Sequence, residues 1–165
     1  MSSDNSKMFM YMGVGVFVVT VALVLAYFFL TCRSGSVKVA GKCYKLVEQD
    51  ASTATTGVNE AKIHDKNMTT GAATTSAVTT YNLKVKDAAK IVRGARVTAK
   101  VDGTSETEKA QLKLTAGSST LTFDFPKNGK TRSEGKLFTT ALTAAVPALT
   151  LEVPTGVTVY EVELI

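Results

Sequence analysis

Few side chains in this sequence could assemble chemistry: one histidine, His64; two cysteines, Cys32 and Cys43; and a carboxylate pair, Glu161 and Glu163, two apart in VTVYEVEL. Hydrolysis needs an activated nucleophile beside a base, or two positioned carboxylates. His64 stands in Ile-His-Asp with no second histidine and no nearby cysteine, so neither a triad nor a metal set forms around it. No Gly-x-Ser-x-Gly elbow, Gly-rich phosphate loop or metal-ligand spacing occurs. Glu161 and Glu163 share one face of a strand and read as a solvated face. The expectation is a non-enzymatic chain with no catalytic residue, metal or cofactor and no small-molecule substrate.

A second group of functional side chains is the basic run KVKDAAKIVRGARVTAK, which sets Lys84, Lys86, Lys90, Arg93, Arg96 and Lys100 against one acid, Asp87. Projected from one sheet face, these cations would rest on an acidic partner or on anionic headgroups. On separate faces they would only keep the domain soluble. No stacking aromatics are interleaved with them, and a net charge of +5 is mild, so nucleic-acid binding is not expected. Glycan platforms commonly use Trp, which is absent; Tyr81 and Tyr160 fit core or sheet-edge roles.

Positioning falls to the elements around these residues. From Met8 to Thr31 no side chain is charged, with Lys7 before and Arg33 after. Roughly 20 to 24 helical residues cover ~30 to 36 Å, about one hydrocarbon thickness. This predicts a transmembrane helix over 8–31, after a short polar tail over 1–7, with Phe9, Met12, Val16, Val19, Leu23, Tyr27 and Leu30 on the anchor. The lipid bilayer is then a partner. Arg33, Lys38, Lys42 and Lys45 follow the span closely, so the positive-inside rule places the C-terminal domain on the cytoplasmic side of a single-pass protein. Cys32 at the boundary is either lipidated or inert. Two cysteines are too few for a disulfide framework.

Residues 32–80 read as a basic linker and a Thr/Ala-rich arm, with a first strand over 43–48 and one or two edge strands beyond it. The arm has few large apolar residues, and so buries little. It holds an N-glycosylation pattern at Asn67. From 81 to 165 the pattern is that of the main part of a β-sandwich. Tyr81, Leu83 and Val85 alternate with polar residues; so do Ala95, Val97, Ala99 and Val101, which end at Asp102-Gly103. Leu112 and Leu114 are followed by the turn Ala116-Gly117-Ser118-Ser119 and by Leu121, Phe123 and Phe125, the clearest hairpin in the chain. Thr131 to Lys136 reads as a polar loop, and Phe138 to Leu142 suits a strand or a helix. The closing stretch slips phase between Val159 and Tyr160, which predicts a β-bulge or a strand apolar on both sides. The fold class expected is mostly β: an N-terminal transmembrane helix followed by an antiparallel, jelly-roll-like β-sandwich.

LTLEVPTGVTVYEVELI together with CYKLVEQDAS resembles galactose-binding-like jelly rolls. In plan, the apolar stretch, the basic exit RSGSVKVAGK, the Thr-rich arm and the closing strands are similar to membrane-anchored minor capsid proteins of large icosahedral DNA viruses. That resemblance implies a structural tether on a virion internal membrane, with capsid or minor capsid subunits as partners. The alternative is a membrane-tethered extracellular glycan- or protein-binding module.

Overall fold

The structure, a computed structural model, describes residues 16–23, 32–54, 63, 71–74, 78–87, 89–142 and 148–165. It divides into two compact units, Met1–Ser34 and Gly35–Ile165.

In the first unit one helix, α1, is described over residues 16–23. The transmembrane helix expected over 8–31 is corrected: among the described residues no helix is long and apolar enough to cross a membrane. Val16, Val19 and Leu23 lie on α1 with exposed side chains, whereas Phe9, Met12, Tyr27 and Leu30 lie outside the described residues. The single-pass topology, the bilayer as partner and the cytoplasmic placement all rested on that span and are withdrawn with it.

Among the described residues of Gly35–Ile165 the named elements are all strands. A short hairpin, β1 (Ser36–Val39) and β2 (Lys42–Lys45), precedes β3 (Gln49–Ala54), β4 (Ala72–Thr74), β5 (Thr79–Val85), β6 (Val92–Val101), β7 (Lys109–Ala116), β8 (Ser119–Pro126), β9 (Thr131–Leu142), β10 (Leu149–Val153) and β11 (Val157–Leu164). The larger sheets run β3-β5-β10-β7-β8 and β4-β11-β6-β9, antiparallel throughout. From β4 onward the chain alternates between the sheets, stays in one sheet for the β7–β8 hairpin, then alternates again. This is the strand order of a jelly roll, with β3 added at one edge.

The sheets are held by one apolar cluster. The five-stranded sheet contributes mostly large side chains, among them Tyr81, Leu112, Leu114, Phe123, Phe125, Leu149 and Leu151. The four-stranded sheet contributes mostly small ones, Ala95, Val97, Ala99, Val101, Val157 and Val159. A face of small residues against a face of large ones lets the two layers interdigitate. Each fully buried Leu or Phe is worth about 1.5–3 kcal/mol of transfer free energy.

The phase slip in the last strand is a bulge: the register against β6 shifts between Val159 and Glu161. The extra residue, Tyr160, lets Val157 and Val159 before it and Val162 and Leu164 after it all enter the core. Two expectations failed at strand level. Ser34 to Lys42, read as linker, contains β1 and the hairpin turn, and Thr131 to Lys136, read as a loop, is the first half of β9. Edge strand β9 leaves Thr131, Arg132 and Ser133 exposed, so its sequence carries no apolar alternation there.

Candidate functional site

The β1–β2 hairpin turns on Ala40-Gly41, both with positive φ, 48° and 82°. Two successive left-handed residues match the twist of the flanking strands. The hairpin lies against the outer face of the four-stranded sheet, where Val37 and Val39 form a second apolar cluster with Ile165, joined by Tyr44, Leu46 and Leu137. Gly135 on β9 makes the approach possible, because a Cβ there would stand 2.6 Å from Val39 Cγ2.

The chain leaving β2 is fastened at four points. Leu46 N–H donates to Gly35 O at 2.9 Å and Val47 N–H to Leu164 O at 2.8 Å. Gln49 Nε2 donates to Val162 O at 2.9 Å, and Lys86 N–H donates to Glu48 O at 3.1 Å. Facing this segment is the β5–β6 loop, in which Asp87 Oδ1 accepts from Ala89 N–H at 3.0 Å and Asp87 O accepts from Lys90 N–H at 2.9 Å. Ile165 is pinned between them by Gly94, whose N–H donates to Ile165 O at 2.9 Å and whose carbonyl accepts from Ile165 N–H at 3.0 Å.

These elements enclose a groove of about 870 Å³. One wall is Cys43 to Glu48, the other Lys86, Asp87, Lys90, Ile91 and Arg93, and Ile165 lies at the base. Its apolar surface comes from Tyr44, Leu46, Val47, Ile91 and Ile165; Ile91 is 43% exposed, unusual for an isoleucine in this unit. Four cations, Lys45, Lys86, Lys90 and Arg93, line the groove with two carboxylates, Glu48 and Asp87. Lys86 pairs with Glu48 at 3.3 Å and Lys90 with Asp87 at 3.8 Å. Among the described residues the Lys45 and Arg93 side chains pair with no side-chain carboxylate, and Arg93 N–H donates to Ile165 O in the groove base.

The basic run is divided by the fold. Lys84 is exposed on β5, in the five-stranded sheet, while Lys86, Lys90 and Arg93 line the groove. Arg96, on β6 in the other sheet, is ion-paired with Glu163, and Lys100 with Asp102 at 3.4 Å. Three of the six therefore converge, and the others stand apart. Glu161 and Glu163 do not form an open carboxylate pair: Glu161 is buried, and Glu163 is held by Arg96. In the neighbouring row Thr98 Oγ1 and Ser133 Oγ share a hydrogen bond of 2.7 Å. Tyr81 is fully buried, and Gly71 packs so close to Tyr160 that a Cβ would lie 3.0 Å from its ring. His64 and Asn67 lie outside the described residues.

Both cysteines are disulfide-bonded. As they are the only two in the sequence, the bond closes the covalent ring 32–43 and spans β1 and its turn. This replaces the expectation of a lipidated or inert Cys32. Sequence reading also missed Tyr44, Lys45, Leu46 and Ile91 as site residues. The signal for the first three was present: Val37 and Val39, then Ala40-Gly41, then the alternation from Cys43 is a hairpin pattern. Ile91 carried none, since only the fold shows that it meets no core.

With the expected span withdrawn, nothing in the fold ties the chain to minor capsid proteins, and that resemblance is withdrawn too. No protein-family model matches the chain, and neither does any curated protein.

Proposed function

We propose that this chain is a non-enzymatic binding module which holds a protein partner in the groove between the β1–β2 hairpin and the β5–β6 loop. The observation that carries this reading is the groove itself: an apolar base and walls beneath two cations, Lys45 and Arg93, that pair with no side-chain carboxylate of the described residues. A partner placed there removes apolar surface from water and supplies the missing charge. The lining holds no activated nucleophile, since Cys43 is committed to its disulfide. The same bridge supports work in an oxidising compartment, because structural disulfides are rare where glutathione and thioredoxin keep thiols reduced.

The test is a photo-reactive residue placed at Ile91 in the full chain, compared with one at exposed Thr120 on β8. The reading expects a protein adduct in the native extract at 91 and not at 120, reduced at least tenfold when Arg93→Glu is added. Equal labelling at both positions, or labelling at 91 that ignores Arg93→Glu, removes the groove as the binding site.

A further inference from the structure

We infer that the groove's occupant is an acidic, extended segment of a partner protein, which adds as a strand to the free edge of β2. This rests on the groove being the binding site and goes beyond it in naming the partner's chemistry and backbone conformation.

Two independent observations meet in this inference. The first is charge. Four cations line the groove with two carboxylates, and both carboxylates are already bound by Lys86 and Lys90. A neutral or basic occupant would leave Lys45 and Arg93 partly desolvated without compensation, whereas side-chain carboxylates convert both into charge-assisted contacts. The second is backbone. β2 pairs with β1 alone; on its outward side Val47, two residues beyond Lys45, is bridged to Leu164 at the end of β11, so among the described residues the open part of this edge is at Lys45. Within the hairpin Val39 faces Lys42 across the two-residue turn and Val37 faces Tyr44, and Leu46 N–H bonds to Gly35 O. In an antiparallel ladder alternate residues point their backbone groups to the same side. Lys42, Tyr44 and Leu46 therefore face β1, and the N–H and C=O of Lys45 face away from it, along the groove wall.

An edge of this kind is a template for another strand. Native proteins block such edges or use them. The outer edge of β8, by contrast, is blocked: Asp124 N–H donates to Glu134 Oε2 at 2.8 Å and Thr122 O accepts from the Lys136 ammonium. At Lys45 no side chain of the described residues performs that service. An incoming strand would place alternate side chains toward Leu46 and Ile91 and the others toward Lys45 and Arg93. The partner sequence expected is thus Glu or Asp alternating with aliphatic residues.

The test uses fluorescence anisotropy of labelled octapeptides alternating Glu with Val, Lys with Val and Ser with Val, titrated with the full disulfide-bonded chain. The Glu peptide should bind at least tenfold more tightly than either other peptide. Arg93→Glu and Lys45→Glu should each weaken it at least tenfold, with circular dichroism confirming that each variant is folded. Two N-methylated Glu peptides, blocked at alternate amides in opposite phases, read the backbone: one phase should abolish binding and the other leave it within about threefold. Equal loss in both phases, or none, overturns strand addition, and equal binding of heparin to wild type and Arg93→Glu points to unspecific polyanion attraction and overturns the site. If Ile91 labelling succeeds but the three peptides bind alike, the groove reading stands and the acidic-strand assignment falls.

Discussion

At the scale of single residues, the hairpin that walls the groove depends on an alanine in a conformation alanine disfavours. Ala40 has φ 48°, where Cβ crowds the following carbonyl and raises the energy by roughly 1–2 kcal/mol. Asn tolerates this region because its short polar side chain bonds locally, and Asn-Gly is the preferred pair for such a turn. Ala40→Asn should therefore stabilise the domain by about 0.5–1 kcal/mol, read as a shift of the urea midpoint at unchanged slope. Gly135 illustrates the opposite constraint. Its missing side chain is what admits Val39, a packing reason that local sequence around GK could not disclose.

At the scale of elements, the disulfide and the sheet edges carry the predictions. The bridge from Cys32 to Cys43 closes a short ring around β1, and loop-closure entropy for a ring of this size is worth about 3 kcal/mol. Cys32→Ser with Cys43→Ser should lower the melting temperature, and reductant should do the same to wild type while leaving the double variant unchanged. The edge of β8 is guarded by side chains of β9, in which Lys136 also pairs with Glu134 at 3.0 Å and lies over the Phe123 ring. Glu134→Ala with Lys136→Ala frees Asp124 N–H and Thr122 O for strands of other copies. The expected result is faster aggregation in light scattering near the transition, out of proportion to a stability loss of about 1 kcal/mol. Aggregation unchanged from wild type would show that the edge is protected by something else.

At the scale of the whole molecule, the sheets are joined at one end by two loops, 102–108 between β6 and β7 and 127–130 between β8 and β9, each crossing from one sheet to the other. They clasp each other. Ser105 N–H donates to Lys127 O at 2.7 Å, Lys127 N–H to Glu108 O at 2.9 Å and Gly129 N–H to Val101 O at 2.9 Å. Glu106 then meets Lys130 at 3.2 Å and Arg132 at 3.0 Å. The Asn128 amide beside it, and then the Lys130 and Arg132 cations, hold Glu106 below the ordinary glutamate value of 4.5. A carboxylate with a depressed folded-state pKa contributes stability that is present above its unfolded value and lost as pH falls through the folded one. Acid should therefore weaken the clasp progressively below about pH 4.5, and Glu106→Gln should flatten the pH dependence of the melting temperature in that window while leaving the β7–β8 hairpin signals unmoved. Because Glu106 is exposed, the effect should shrink in high salt.

The strands of the sandwich were legible because their inward faces alternate: Tyr81 to Val85, Ala95 to Val101, the β7–β8 hairpin and the slipped phase at Tyr160 are all written as period-two patterns that burial on one face imposes. The first half of β9 and strand β1 of the outer hairpin escaped notice because a strand that shares its burial with a neighbour needs no alternation of its own. The groove was beyond reach for a further reason. It is built from segments some 40 and 120 residues apart, Tyr44 to Glu48, Lys86 to Arg93 and Ile165, and no local pattern records which distant charges are paired. Sequence alone determined which residues face the core; tertiary structure decided which cations are spent on carboxylates and which edge is left open, since both depend on neighbours supplied by other parts of the chain.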